Sequence, residues 1–203
     1  MTAIVDYRAG NLASVQRALA AIGHPAEVTS DARRIARADR LILPGVGAFA
    51  AAMASLTALG LVEPILAHIS AGRPTLGICL GLQLLMEDSE ELAPDGTRPL
   101  GLGIFAGTTR LLPGPGKVPQ IGWNNLSVKS GHPVLAQADG QYVYFVHSYY
   151  VDPDDERLVA AETDYGRTFA AALARDNVLA VQFHPEKSGA VGLELLRRFC
   201  EVL

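Results

Sequence analysis

Thr75-Leu76-Gly77-Ile78-Cys79-Leu80-Gly81-Leu82-Gln83-Leu84-Leu85-Met86 is the stretch that decides the fold. Thr75 to Ile78 is a short apolar run with the character of a buried strand, and Leu80 to Met86 reads as a helix. Between them, Gly77-Ile78-Cys79-Leu80-Gly81 has the form Gly-x-Cys-x-Gly, the cysteine counterpart of the Gly-x-Ser-x-Gly nucleophile elbow. A turn this sharp strains the backbone of its central residue and aims the side chain out of the sheet, while the glycines let neighbouring chain come close. The start of a helix also favours the thiolate, the reactive form. The competing reading is a structural cysteine in a tight turn. The paired glycines and the strand-to-helix setting favour a nucleophile.

Upstream, short apolar strands alternate with helical patterns. Ala3 to Val5 reads as a strand, and Leu12, Val15, Leu19 and Ile22 then recur at helical spacing until Gly23. Glu27 to Thr29 and Leu41 to Leu43 are further strands, the latter ending at Pro44-Gly45-Val46-Gly47. This alternation predicts an α/β domain with a parallel sheet covered on both faces. After Pro94 the pattern changes. Thr108 to Leu112, Asn125 to Val128, Tyr142 to Val146, Leu158 to Thr163, Thr168 to Leu173 and Val178 to Phe183 read as strands, with a turn at Asp176-Asn177. A last helix runs from about Ala190 to Val202. The expectation is a single domain over 1–203, with one central mixed, mostly parallel sheet flanked by helices and antiparallel additions in the C-terminal half.

Composition narrows the function classes. A chain of 203 residues with 49% hydrophobic and 19% charged residues is ordinary for a globular domain with a sizeable core. A net charge of -4 without a basic block gives no footprint for nucleic acid. Two cysteines, Cys79 and Cys200, make no disulfide framework and suit a reducing cytoplasm. The opening residues carry no basic flank or apolar core of a secretion signal. Leu41 to Val62 is uncharged and long enough to span a bilayer, but Pro44, Gly45, Gly47 and Gly60 break it into strand, loop and helix, so no membrane span is expected.

A thiolate needs a base and an oxyanion site. His184 follows the strand Val178 to Phe183, and Glu186 lies two residues beyond it across Pro185. Cys79, His184 and Glu186 thus supply nucleophile, base and orienter. His24, His68 and His132 read as structural. One oxyanion donor is the Leu80 N–H, next to the nucleophile. A second comes from the Gly45-Val46-Gly47 backbone at the end of its strand. The rival reading of that loop, a phosphate cradle, lacks the P-loop lysine.

With these residues in place, Gly77 to Leu85 and Gln182-Phe183-His184-Pro185-Glu186-Lys187-Ser188 resemble the class I (triad) glutamine amidotransferases. Pro44 to Phe49, Ile121-Gly122-Trp123-Asn124, Tyr144 to Tyr149 and the opening Asp6-Tyr7…Gly10-Asn11-Leu12 resemble, within that family, the glutaminase subunits of imidazole glycerol phosphate synthase. The likeness runs from about residue 4 to about residue 200. It implies that Cys79 attacks the glutamine side-chain amide and forms a thioester, and that His184 moves the protons while Glu186 holds it. It implies substrate contacts at Gln83, Glu91, Ser148 and Tyr149, although Gln83 read alone is a solvated helix residue and Tyr149 a core aromatic. It further implies no cofactor and no metal. The implied partner is a (βα)₈ cyclase subunit that receives the ammonia across an interface including Asn11, Trp123 and Lys187. Read alone, these three are surface residues, or for Trp123 a core one. Two positions depart from the family pattern: Arg8 stands where it has glycine, and Leu82 where it often has methionine, a volume-conserving change. Other readings are a glutaminase subunit of another synthase, a cysteine hydrolase or peptidase, and a non-catalytic scaffold that binds a cyclase.

Overall fold

The computed structural model describes residues 1–113, 116–129 and 131–203. The N-terminal part alternates as expected: β1 (Thr2–Val5), α1 (Leu12–Ala21), β2 (Ala26–Thr29), α2 (Ala32–Arg37), β3 (Arg40–Gly45), α3 (Phe49–Ala58), α4 (Val62–Ser70), β4 (Thr75–Cys79) and α5 (Leu80–Leu84). Then come β5 (Met86–Ser89), β6 (Phe105–Leu111), β7 (Gln120–Asn125), β8 (Ser127–Val128), β9 (Tyr142–His147) and β10 (Tyr149–Pro153). The chain closes with β11 (Val159–Asp164), β12 (Thr168–Arg175), β13 (Val178–Val181) and α6 (Gly189–Val202).

Strands β2-β1-β3-β4-β13 run parallel to one another, and β12, β10 and β6 continue the sheet antiparallel, with β5 parallel at the far edge. β1, β4 and β13 are buried along their whole length because helices cover both faces. One core cluster packs α1 and α6 against one face, and a second packs the other face against α2, α3, α4 and α5.

Several expectations need correction. The helix after Cys79 stops at Leu84. Met86 to Ser89 instead forms β5, because the returning chain takes up the backbone groups that would continue the helix: Leu102 N–H bonds Leu84 O, and Phe105 N–H bonds Leu85 O. α2 carries no apolar stripe and buries Ile35 among arginines. It is set by Asp31, whose carboxylate accepts from Arg33 N and Arg34 N. Tyr142 to Val146 does not join the main sheet. β9 pairs with β7 in a separate two-stranded antiparallel ribbon, Trp123 opposite Tyr144. At Ser148 the chain leaves that ribbon and enters the main sheet as β10, a strand absent from the sequence reading. No single helix among the described residues is long and apolar enough to cross a membrane. α3 and α4 together would be, but they bend by 91° at their break.

Candidate active site

Cys79 sits at the junction of β4 and α5 with φ +55°, the left-handed region that L-residues avoid. The elbow glycines make this possible. A Cβ on Gly81 would lie 1.8 Å from the Leu43 carbonyl oxygen, and one on Gly77 would press on Leu85 and Ala180. The register Gly45↔Cys79 carries the β3–β4 ladder right up to the elbow.

Cys79 opens into a pocket of about 280 Å³. Leu80, Gln83, Glu91, Val46, Gly47, Ser148 and Tyr149, gathered from four separate stretches of chain, line the same pocket. Gln83 is buried, not solvated: its Nε2 donates to Tyr149 O (3.0 Å) and to Gln182 Oε1 (3.1 Å). Glu91 Oε2 accepts from Phe49 N–H at 2.9 Å, which fixes the carboxylate at the start of α3. Tyr149 is half-buried, and its hydroxyl is pushed above the ordinary tyrosine range by burial and then by Glu91 and Glu90.

His184 and Glu186 stand at the end of β13 beside Cys79. Their Nδ1 and Oε1 atoms are 2.8 Å apart, with side chains only 3% and 1% exposed. Burial pushes the His184 pKa down, but Cys79 and Glu186 outweigh it and raise it to about 9. His184 Nε2 makes no hydrogen bond of normal geometry, yet its polar contact with Cys79 is the largest of the effects that raise its pKa. Before substrate binds, such catalytic pairs are often loose. Ser188 Oγ donates to His184 O (2.6 Å) and accepts from Tyr144 N–H (3.0 Å), tying this segment to β9.

Four residues of the site carry no role in the sequence reading. The Tyr7 hydroxyl is buried and donates to Pro44 O at 2.8 Å, just before the Gly45 to Gly47 turn. His147 lines the pocket, and burial pushes its pKa down to about 4. Neutral, it donates from Nδ1 to Tyr149 O (2.8 Å), so Nε2 is an acceptor. The Gln120 amide 3.0 Å away must then present its nitrogen to it. Gln182 completes the set. Its signal was the two-residue spacing to His184, which puts both on one side of an extended segment.

The three residues implied for an interface are all exposed. Trp123 is 55% exposed and stacks edge-on against Tyr144, ring centroids 6.0 Å apart. Lys187 Nζ lies 5.7 Å from the Tyr144 ring, and Asn11 caps α1 without a side-chain bond. Trp123 is therefore no core residue.

The family model of class I glutamine amidotransferases matches residues 3–202. This chain belongs to the class I glutamine amidotransferase family. It is 52% identical to the imidazole glycerol phosphate synthase subunit HisH of Syntrophotalea carbinolica, covering 98% of each chain. It is 51% identical to the subunit of that name from Aquifex aeolicus, over 98% of this chain and 95% of the relative. Among solved structures, a glutamine amidotransferase superposes with a TM-score of 0.76 at 19% identity, over 98% of this chain and 97% of the other. PurLQS from Thermotoga maritima gives 0.75 at 16% identity, over 99% and 97%. These structural likenesses carry the amidotransferase fold alone; the membership rests on the family match and the relatives.

Proposed function

We propose that this amidotransferase is the glutaminase subunit of an imidazole glycerol phosphate synthase. It hydrolyses L-glutamine to L-glutamate and ammonia through a thioester on Cys79. The ammonia passes to a (βα)₈ cyclase subunit that makes imidazole glycerol phosphate and an aminoimidazole-carboxamide ribonucleotide. The observation that carries the chemistry is the strained Cys79, facing a pocket with the His184–Glu186 pair beside it. The choice of synthase rests on relatives about half identical over nearly the whole chain.

The steps follow from the groups present. With its pKa near 9, His184 holds the proton at neutral pH, in position to protonate the departing ammonia. The sulfur of Cys79 attacks the amide carbon of glutamine, the carbonyl electrons move onto oxygen, and their return expels the nitrogen. His184, now neutral, takes a proton from water as its oxygen attacks the thioester; collapse frees glutamate and returns the sulfur as thiolate beside the imidazolium. Glu186 stabilises the imidazolium each time it forms. Gln83 spends both N–H groups on Tyr149 O and Gln182, so its own oxygen is the group left for substrate. The Glu91 carboxylate suits the α-ammonium of glutamine.

The oxyanion site is built for control. Leu41 N–H bonds Pro74 O, which sets the phase of the β3–β4 ladder. In a parallel ladder of that phase the Gly45 carbonyl faces the Leu80 amide. An oxyanion there needs the Gly45–Val46 peptide to turn, which Gly45 and Gly47 (φ +103°) permit. A docked cyclase would supply that turn. Val118, Ile121, Trp123 and Tyr142 are exposed apolar residues on and beside the β7–β9 ribbon, which suits them to docking. A closed joint also keeps ammonia from protonating in water.

The test is Cys79→Ala in the reconstituted complex. Glutamine-dependent synthesis should vanish while ammonia-dependent synthesis persists. Glutamine turnover by the pure variant would overturn the assignment. Wild-type turnover should also rise on adding the cyclase with its nucleotide, and equal turnover without them would remove the partner gating.

A further inference from the structure

We propose that the side-chain amide of Gln182 is a catalytic group of this site, donating to Cys79 Sγ and stabilising the sulfur as an anion. The proposal rests on the reading of Cys79 as nucleophile and adds a residue to it. Gln182 Nε2 lies 3.6 Å from Sγ, and the side chain is wholly buried.

The orientation of this amide is fixed by its neighbours. Tyr149 O, a backbone carbonyl, can only accept, so Gln83 must turn its nitrogen toward it. The same nitrogen reaches Gln182, which must therefore present its oxygen to Gln83. That leaves the Gln182 NH₂ group pointing at sulfur. The backbone is held as well, Gln182 N–H bonding Ala171 O at 2.8 Å.

The chemistry of the other sulfur contact sharpens the argument. Val146 O, 3.8 Å from Sγ, is an acceptor, which suits a thiol proton and repels a thiolate. His184 Nε2 does not reach hydrogen-bonding geometry. Among the described hydrogen bonds, Gln182 is thus the donor aimed at the sulfur. A neutral thiol is a weak acceptor, so a purely structural glutamine in a buried site would be better served by an oxygen. Hydrogen bonds to an ionised partner are about twice as strong as neutral ones, and low local dielectric strengthens them further.

The experiment compares wild type, Gln182→Leu and Gln182→Glu in the full chain with the cyclase bound. Carboxamidomethylation of Cys79 by iodoacetamide is followed against pH on the Cys79 peptide by mass spectrometry. Cys200, buried in the core, reports unfolding in the same sample. The alkylation midpoint should rise by about one pH unit in Gln182→Leu and further in Gln182→Glu, whose carboxylate repels the thiolate. Glutaminase kcat should fall at least about tenfold. An unchanged midpoint in a variant that keeps Cys200 protected overturns the proposal while leaving the glutaminase reading intact. Should both variants unfold, the wild type still decides. Its ¹⁵N-labelled Gln182 amide resonances must titrate together with Cys79, and resonances that stay fixed as the thiol ionises overturn the proposal. Turnover by Cys79→Ala would instead overturn the nucleophile assignment.

Discussion

His184 and Glu186 are two residues apart in sequence, and their Nδ1 and Oε1 atoms meet at 2.8 Å inside a single turn of 3-10 helix that begins at Pro185. Proline fixes the backbone between them, so imidazole and carboxylate come as one rigid unit. The carboxylate and Cys79 together hold the imidazole at about 9 against the effect of burial.

Glu186→Gln can keep an oxygen on Nδ1 but removes the charge. The alkaline limb of the kcat/KM profile should move down from about 9 toward the ordinary histidine range, because only Cys79 is then left to favour the imidazolium. The rate at neutral pH should fall by about 10²–10⁴. A pH-rate series on the cyclase complex reads both. An unmoved limb would show that Glu186 does not set the protonation of His184.

His147 makes stability fall in mild acid. Its pKa is about 4 in the fold against 6.5 for an ordinary histidine, so below 6.5 the unfolded chain binds the extra proton. The contribution is intact above about 6.5, declines as pH falls, and levels off below about 4. Between pH 7.5 and pH 5 the wild type should lose about 2 kcal/mol more than His147→Asn. Urea titrations of both proteins at the two pH values measure the difference, and parallel losses would remove His147 as the cause.

Gly81→Ala should be the most damaging small substitution in the elbow. The added carbon would stand 1.8 Å from the Leu43 carbonyl, and that oxygen is backbone in a buried strand, unable to step aside. A cost of about 1–3 kcal/mol is expected from overpacking alone, seen as a melting temperature lowered by roughly 2–10 °C. Glutaminase activity should drop with it, because β3 and the elbow must separate. A melting temperature equal to wild type would contradict this account of the turn.

Trp123→Ala should leave the isolated chain nearly as stable as wild type, since the ring is more than half exposed and rests only edge-on against Tyr144. Its effect should fall on association. Loss of a large aromatic at the centre of a docking face costs about 2 kcal/mol or more, close to thirtyfold in Kd for the cyclase. Calorimetric titration of the two subunits checks it, and unchanged affinity would move the interface elsewhere.

The sequence by itself determined the chemistry that depends on neighbours along the chain. Gly77 to Gly81 announces an elbow because strand, turn and helix are local, and His184-Pro185-Glu186 announces an imidazole paired with a carboxylate because both lie on one short turn. The parallel half of the sheet was legible for the same reason, since each strand-helix step leaves its own apolar pattern. Tertiary structure alone decided what depends on residues far apart. Gln83 reads as a solvated helix residue until Tyr149 and Gln182, 66 and 99 positions later, bury it in hydrogen bonds. Met86 reads as the last residue of the helix and instead opens a strand, Met86–Ser89, because β6 lies beside it. The change of sheets at Ser148 leaves no mark in composition. Residue types record what a position prefers, whereas a buried polar group or a strand edge is settled by the partner that reaches it, and that partner is supplied by the fold.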